Sequence, residues 1–363
     1  MQIPEILTSV SGEKITTKEQ WETYRRKEIM ALFENFVYGV RPIERPTDLS
    51  FETATAKNWL GLGITRKTVT IRFAGYSFKT YGFLADDAKG NIPCFDYIMH
   101  ESQSNKSQIE DDSFLNCVYI DILEICRRGY GIFITPTYPL APDWDSHCDY
   151  KEGIYPLYDT ERKPNSWATI SAWSWGMSRV LDYIETDADF DASRVITCGH
   201  SRGGKTALWA AATDTRFYGA ISNCSGCTGA ALLRGKLGEH VKDINITDWF
   251  CENYHSFNDN EEMLPVDQHM LLAAIAPRPC YVASASEDEW ADPKAERLSC
   301  RLAKEVYALY GKTGIILPDE SEIKFDTAYH EGDVGHHTKT GIHGIVFSDW
   351  KYYLDFFDKE LAK

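Results

Sequence analysis

The chain has no run of about 18 apolar residues, the length a membrane-crossing helix needs, so none is expected. Its first residues, Met1-Gln2-Ile3-Pro4-Glu5, carry neither the basic segment nor the apolar one of a secretory signal. The expectation is a cytoplasmic protein, with a trimmed signal peptide as the alternative. Positive charge is in deficit: 38 Lys and Arg stand against 54 Asp and Glu, a net charge of −16. That balance argues against nucleic acid or an anionic membrane as partner, because both attract basic surfaces. Cysteines number ten but lack pattern: Cys224 and Cys227 make one C-x-x-C, and no second pair stands at zinc-site spacing. They read as reduced thiols, and no cofactor is expected. Internal repeats, linkers and low-complexity tracts are absent too, so residues 1–363 read as one domain with insertions.

Aromatic residues, by contrast, are plentiful, with ten Trp and twenty Tyr. A sugar site uses such side chains, and so does a large core. Residues 17–38 place Trp21, Tyr24, Ile29, Leu32, Phe33 and Phe36 on a helical period, after Thr16 and Thr17 as caps. Residues 64–85 alternate apolar and polar around Gly75 and read as an antiparallel hairpin. Apolar segments at 92–99, 131–135, 195–199, 218–223 and 280–285 read as strands. Helical stretches at 114–128, 168–185, 271–275, 293–310 and 348–361 stand between or after them. An irregular loop covers 136–166, and a long insertion covers 224–268. Strands alternating with helices imply an α/β fold, a mostly parallel sheet covered on both faces.

One stretch carries chemistry. Val195-Ile196-Thr197-Cys198-Gly199-His200-Ser201-Arg202-Gly203-Gly204-Lys205 runs from apolar strand through G-x-S-x-G into a helix rich in alanine. Strand, sharp turn and helix are the context of a nucleophile elbow, in which a serine hydroxyl stands exposed near N–H donors. In α/β-hydrolases the other triad members follow in the order acid, then His. The loop after strand 280–285 offers Asp288, with Glu287 and Asp292 as competitors. The C-terminal region offers His330, His336, His337 and His343, read as sharing one loop before the last helix. A metal cluster of these histidines with Asp333 is disfavoured, because no H-E-x-x-H or helical i, i+4 pair is present.

The segment Gly199-His200-Ser201-Arg202-Gly203-Gly204-Lys205 resembles the nucleophile motif G-C/H-S-R-x-G-K of the glucuronoyl esterases, carbohydrate esterase family 15. The likeness extends through Ser225-Gly226-Cys227-Thr228-Gly229, Gly238-Glu239, Trp249-Phe250, Val266-Asp267-Gln268-His269, Ala276-Pro277-Arg278-Pro279 and Trp290-Ala291-Asp292-Pro293. It ends on His337-Thr338-Lys339-Thr340-Gly341-Ile342-His343 and Asp349-Trp350. The resemblance implies an α/β-hydrolase three-layer sandwich with Ser201 as nucleophile and His343 as general base. It implies that Arg202, Lys205, Trp290, Glu239 and Gln268 bind substrate or oxyanion. Many members carry a catalytic Glu in E-S-G, where this chain has Cys224-Ser225-Gly226; its absence favours Asp288 as the acid.

The implied activity is hydrolysis of a glucuronic-acid-type ester, on a small-molecule or oligosaccharide substrate. An acetyl (xylan) esterase is the enzymatic alternative, and a non-catalytic sugar-binding relative is the alternative from another class. Arg202 and Lys205 near the nucleophile favour the uronate.

Overall fold

A computed structural model describes residues 2–100, 113, 120–143, 149–235, 237–245 and 247–363. Among the described residues, nine strands form one sheet in the order β1-β2-β3-β5-β4-β6-β7-β8-β9. The expected hairpin is β2 (Ile64–Phe73) and β3 (Tyr76–Ala85), antiparallel and turned at Ala74 and Gly75, both at positive φ. β1 (Ser50–Ala56) pairs with β2 on the sheet's edge. Sequence reading missed β1, because its residues are nearly all exposed and leave no apolar alternation.

The remaining strands are β4 (Ile92–Met99), β5 (Gly131–Pro136), β6 (Phe190–His200), β7 (Gly219–Asn223), β8 (Cys280–Ala285) and β9 (Val334–Lys339). From β5 to β9 every neighbour pair is parallel. Their C-terminal ends therefore line one edge of the sheet, where α/β folds place their ligands. β9 corrects the sequence reading, which put His330, His336, His337 and His343 in one loop. Val334-Gly335-His336-His337-Thr338-Lys339 is too polar to read as a strand, yet all six residues are buried beside β8. Consecutive strand residues face opposite sides, so His336 and His337 are separated. His336 Nε2 meets Thr338 Oγ1 at 3.1 Å, and His337 lies between Tyr281 and Asp349. His330 stacks against Phe356.

Two apolar clusters cover the two faces of the sheet. One joins the wholly buried helix Thr169–Ile184 to the helix Arg202–Thr213 and to Gln268–Ile275. The N-terminal helical stretch packs there too: Tyr38 stacks on Trp209 with ring centroids 4.2 Å apart. That stretch runs from Lys18 to Tyr38 as two α-helical pieces, each followed by a π-helical turn. The other cluster holds the helices Ile122–Arg127 and Phe347–Leu361, with Trp350, Phe356 and Phe357. The sequence placed a longer helix at 114–128; residues 114–119 lie outside the described residues. Among its described residues, the insertion at 224–268 holds only short helical turns, anchored by Phe250 and Tyr254.

Asp96, in the middle of β4, is fully buried, and neither carboxylate oxygen makes a hydrogen bond. Burial pushes its pKa well above the usual carboxylate range. The folded protein thus keeps a proton that the unfolded chain releases near pH 4, so the group costs stability progressively as pH rises above that. Asp96→Asn is expected to raise the melting temperature at neutral pH. Its advantage should grow with pH by up to about 1.4 kcal/mol per unit while the folded carboxyl stays protonated. Melting curves of both proteins from pH 5 to 8 check this; a pH-independent or negative difference contradicts it.

Candidate active site

The turn after β6 is crowded. A Cβ on Gly199 would stand 2.2 Å from the Gly203 carbonyl oxygen, and one on Gly203 would stand 3.1 Å from that of Ile98. Only glycine lets the helix Arg202–Thr213 begin so close to the strand. Ser201, between them, is held at φ 56° and ψ −124°. Such a conformation costs a non-glycine residue about 1–3 kcal/mol and is kept where surrounding contacts enforce it. Here the Ser201 N–H donates to Asn223 O on β7 at 2.8 Å, and Ser201 O caps the helix by accepting from Gly204 and Lys205. The side chain stands at a helix N-terminus, whose partial positive charge favours developing anions.

The loops after β8 and β9 hold the candidate partners. His343 Nδ1 lies 2.6 Å from Asp288 Oδ2. Asp288 is buried and also accepts from the Ala291 N–H at 3.3 Å. Burial works against its charge, but the bond to His343 and the other partners, the Ala291 N–H among them, together outweigh it and hold the carboxyl below its usual range. An imidazole held this way has a defined tautomer, with Nδ1 protonated and Nε2 left as the base. Its competitors stand elsewhere. Glu287 is exposed, and Asp292 caps the helix Pro293–Leu309 by accepting from Ala295 N at 3.0 Å. On its other side the His343 ring lies 4.6 Å, centroid to centroid, from that of His200, the residue before Ser201. His200 is bound through Nδ1 to Asn223 Oδ1 at 2.7 Å. Burial, then the neighbouring His343, pushes its pKa down to about 3, so it stays neutral beside His343.

The cationic residues are held more tightly than the sequence suggested. Arg202 pairs with the buried Asp143 carboxylate, and its guanidinium lies 4.5 Å from the Trp249 ring centre. Trp249 Nε1 donates to the other Asp143 oxygen at 2.9 Å. Asp143 was not singled out from sequence, since nothing distinguishes it from the other acids of the 136–166 loop. Lys205 is buried and gives its three N–H donors to Ser225 O, Cys227 O and Glu239 Oε2. It therefore builds the wall of the site, and a sugar hydroxyl reaches it only by displacing Glu239. The other Glu239 oxygen accepts from Trp290 Nε1 at 3.0 Å. Trp290 is 56% exposed, an unusual setting for so large an apolar face. Gln268 is corrected most: it is wholly buried and donates to the Gly229 carbonyl at 2.8 Å, a scaffold position with no surface for a ligand.

Comparison with known proteins identifies the family. A family model described as glucuronyl esterase of fungi matches residues 133–311. The solved glucuronoyl esterase from Solibacter usitatus superposes with a TM-score of 0.90 at 34% identity, over 99% of this chain and 97% of that one. A promiscuous CE15 esterase from a marine bacterial metagenome superposes at 0.88, also at 34% identity, over 98% and 96%. A curated carbohydrate esterase, MZ0003, from an unknown prokaryote is 35% identical over 99% of this chain and 90% of its own length. The chain belongs to carbohydrate esterase family 15. Among family 15 esterases, the resemblance marks Cys224 as the departure, at the position where many members have Glu. Cys224 follows β7 at φ 46°, with Sγ 3.7 Å from Gly344 O and 3.8 Å from Lys339 Nζ. Burial pushes its thiol pKa far up, so it cannot serve as a carboxylate does.

Ser201→Ala is expected to lower kcat on an activated ester by about 10⁶, the scale known for triad serines, with an unchanged melting curve. A tenth of the activity surviving would exclude Ser201 as nucleophile. Asp288→Asn should cost about 10⁴ in kcat through loss of the tautomer, while Glu287→Gln stays near wild type. Parallel steady-state kinetics separate the two acids, and full activity in Asp288→Asn would overturn the assignment.

Proposed function

We propose that this family 15 protein is a serine esterase that hydrolyses esters of a glucuronic-acid-type sugar through an acyl-enzyme. The observation carrying this reading is the 2.6 Å bond from Asp288 to a histidine whose ring packs beside the residue preceding the strained Ser201. In the proposed reaction Ser201 Oγ attacks the ester carbonyl while His343 Nε2 takes its proton. The negative oxygen of the tetrahedral intermediate develops near the first N–H groups of the helix and the Arg202 guanidinium. His343 then protonates the leaving alcohol, and a water repeats the sequence to release the acid.

The choice of acyl group needs a different argument from charge. In a uronate ester the sugar's carboxyl is consumed in the ester bond, so the substrate is as neutral there as an acetyl ester. Anionic charge appears only in the intermediate and in the product. Arg202, fixed by Asp143 and Trp249, suits that later charge without reorganising. What separates the two substrates is where the sugar sits. In a uronate ester the sugar is the acyl half and stays bound to Ser201, within reach of Glu239 and Trp290. In an acetyl ester it leaves with the alcohol. The similarity to the glucuronoyl esterase from Solibacter usitatus supports the first arrangement. Acetyl (xylan) ester hydrolysis is the second reading. It is favoured by the full use of Lys205 on protein carbonyls and Glu239, which leaves fewer groups dedicated to a sugar.

Hydrolysis of benzyl glucuronate is expected to exceed that of p-nitrophenyl acetate in kcat/KM once each is corrected for its uncatalysed rate. The reverse order establishes the acetyl reading. Arg202→Lys should lower kcat about tenfold or more with little change in KM, since a lysine lacks the planar fork and the charge it answers exists only along the reaction path. A rise in KM alone would place Arg202 in ground-state binding instead.

A further inference from the structure

Cys224, Asp288 and His343 come from the loops after β7, β8 and β9. One ligand atom of each lies within 4.8 Å of the other two. A thiol, an imidazole and a carboxylate together are the ligand types of a zinc site, where tetrahedral bonds of about 2.0–2.3 Å set ligand atoms roughly 3.5 Å apart. Asp288 and His343 already meet at 2.6 Å and would part slightly, while the gap of at most 4.8 Å to Sγ would close by about 1 Å as His343 shifts. The side chain that has to move is His343, which is 44% exposed on a loop flanked by Gly341 and Gly344. Cys224 and Asp288 are buried and fixed.

We propose that Cys224, Asp288 and His343 form an inhibitory site for a soft divalent cation such as Zn²⁺, which inserts between His343 and Asp288. Binding deprotonates the Cys224 thiol, and that proton leaves to solvent. The His343 Nδ1 proton is lost too, while Nε2 gains one, so the ring changes tautomer with no net change in protons. Thiolate, Nδ1 and carboxylate oxygen become three ligands, and the fourth position is left for water. Two negative ligands balance the 2+ charge, so the occupied site is neutral where the empty one carries the single negative charge of Asp288. The nearest fixed cation, Lys339, is 3.3 Å from Asp349, which offsets its repulsion of the metal. The thiol sets the selectivity: sulfur favours Zn²⁺ or Co²⁺ over Mg²⁺ and Ca²⁺, which prefer all-oxygen sites. A glutamate at position 224 would leave a harder site. Inhibition follows from the tautomer, because a ring bound through Nδ1 has its remaining proton on Nε2 and cannot accept one from Ser201.

The inhibitory part rests on the catalytic reading of His343, whereas binding does not, and two readouts separate them. Co²⁺ added to the full-length protein is expected to give a thiolate-to-cobalt charge-transfer band. The component of that band missing from both Cys224→Ala and Cys224→Ser reports this site rather than the other thiols. Zn²⁺ is expected to inhibit ester hydrolysis reversibly, with EDTA restoring the rate and Mg²⁺ having no effect. Relative to its own metal-free rate, each Cys224 variant should need at least tenfold more Zn²⁺ for half-inhibition. A cobalt band unchanged in both variants, or the same half-inhibiting Zn²⁺ concentration in wild type and variants, overturns the proposal. A Cys224-dependent band with undiminished hydrolysis confirms the metal site and overturns its inhibitory role together with the catalytic role of His343.

Discussion

The site hangs on one buried carboxylate outside the candidate triad, that of Asp349. It accepts from His337 Nε2 on β9 at 2.8 Å and from the Val346 N–H at the start of the last helix at 2.9 Å. Lys339 Nζ lies 3.3 Å away, and Asn223 Nδ2 reaches it from β7 at 3.5 Å. Burial raises the cost of its charge, but His337 and the other partners outweigh that and keep its pKa below the usual range. A charge this deep is tolerated only when paired and hydrogen-bonded. That need ties two strands and a helix to one point. Both catalytic candidates are referred to it. Asn223 holds the Ser201 N–H through its carbonyl and the His200 ring through its side chain. Lys339 holds the carbonyl of Gly344, next to His343.

A second polar framework supports the substrate side. Glu296, wholly buried on the helix after β8, accepts from the Gly226 N–H at 2.9 Å and from the hydroxyls of Ser284 and Ser225. Burial pushes its pKa up to about 7. It fixes the turn whose carbonyls, at Ser225 and Cys227, receive the Lys205 ammonium. Lys205 in turn fixes Glu239, and Glu239 fixes Trp290. The wall of the site is thus set by interior charges, and only its last member, Trp290, presents a broad apolar face to solvent. Such an arrangement suits a ligand with a sugar ring: apolar contact from the indole, and a polar group bound to the same indole close beside it.

The chain itself determined the elements whose signals are local. Glycine spacing around Ser201 dictates a turn no other residue permits, and apolar segments of strand length with helical periods between them dictate the α/β order. Ser201, then Asp288, then His343 follow along the chain in the order this fold requires, and Pro293 after Asp292 marks a helix start, which removes Asp292 from the contest for the acid.

What only the tertiary structure decided are contacts whose partners lie far apart in sequence and carry no pattern of their own. Asp143 reads like any loop acid until Arg202 and Trp249 close on it. β9 is polar enough to pass for a loop, because its stability comes from pairing with β8 and from Asp349 rather than from apolar alternation. Gln268 and Lys205 look like ligand contacts in a motif, yet their hydrogen bonds are made to buried carbonyls and, for Lys205, to Glu239 as well. Whether a polar side chain serves the ligand or the scaffold depends on which carbonyls are left without partners when loops fold. That is set by three-dimensional closure, since nearly every buried polar group finds a partner, and a linear sequence does not say which one.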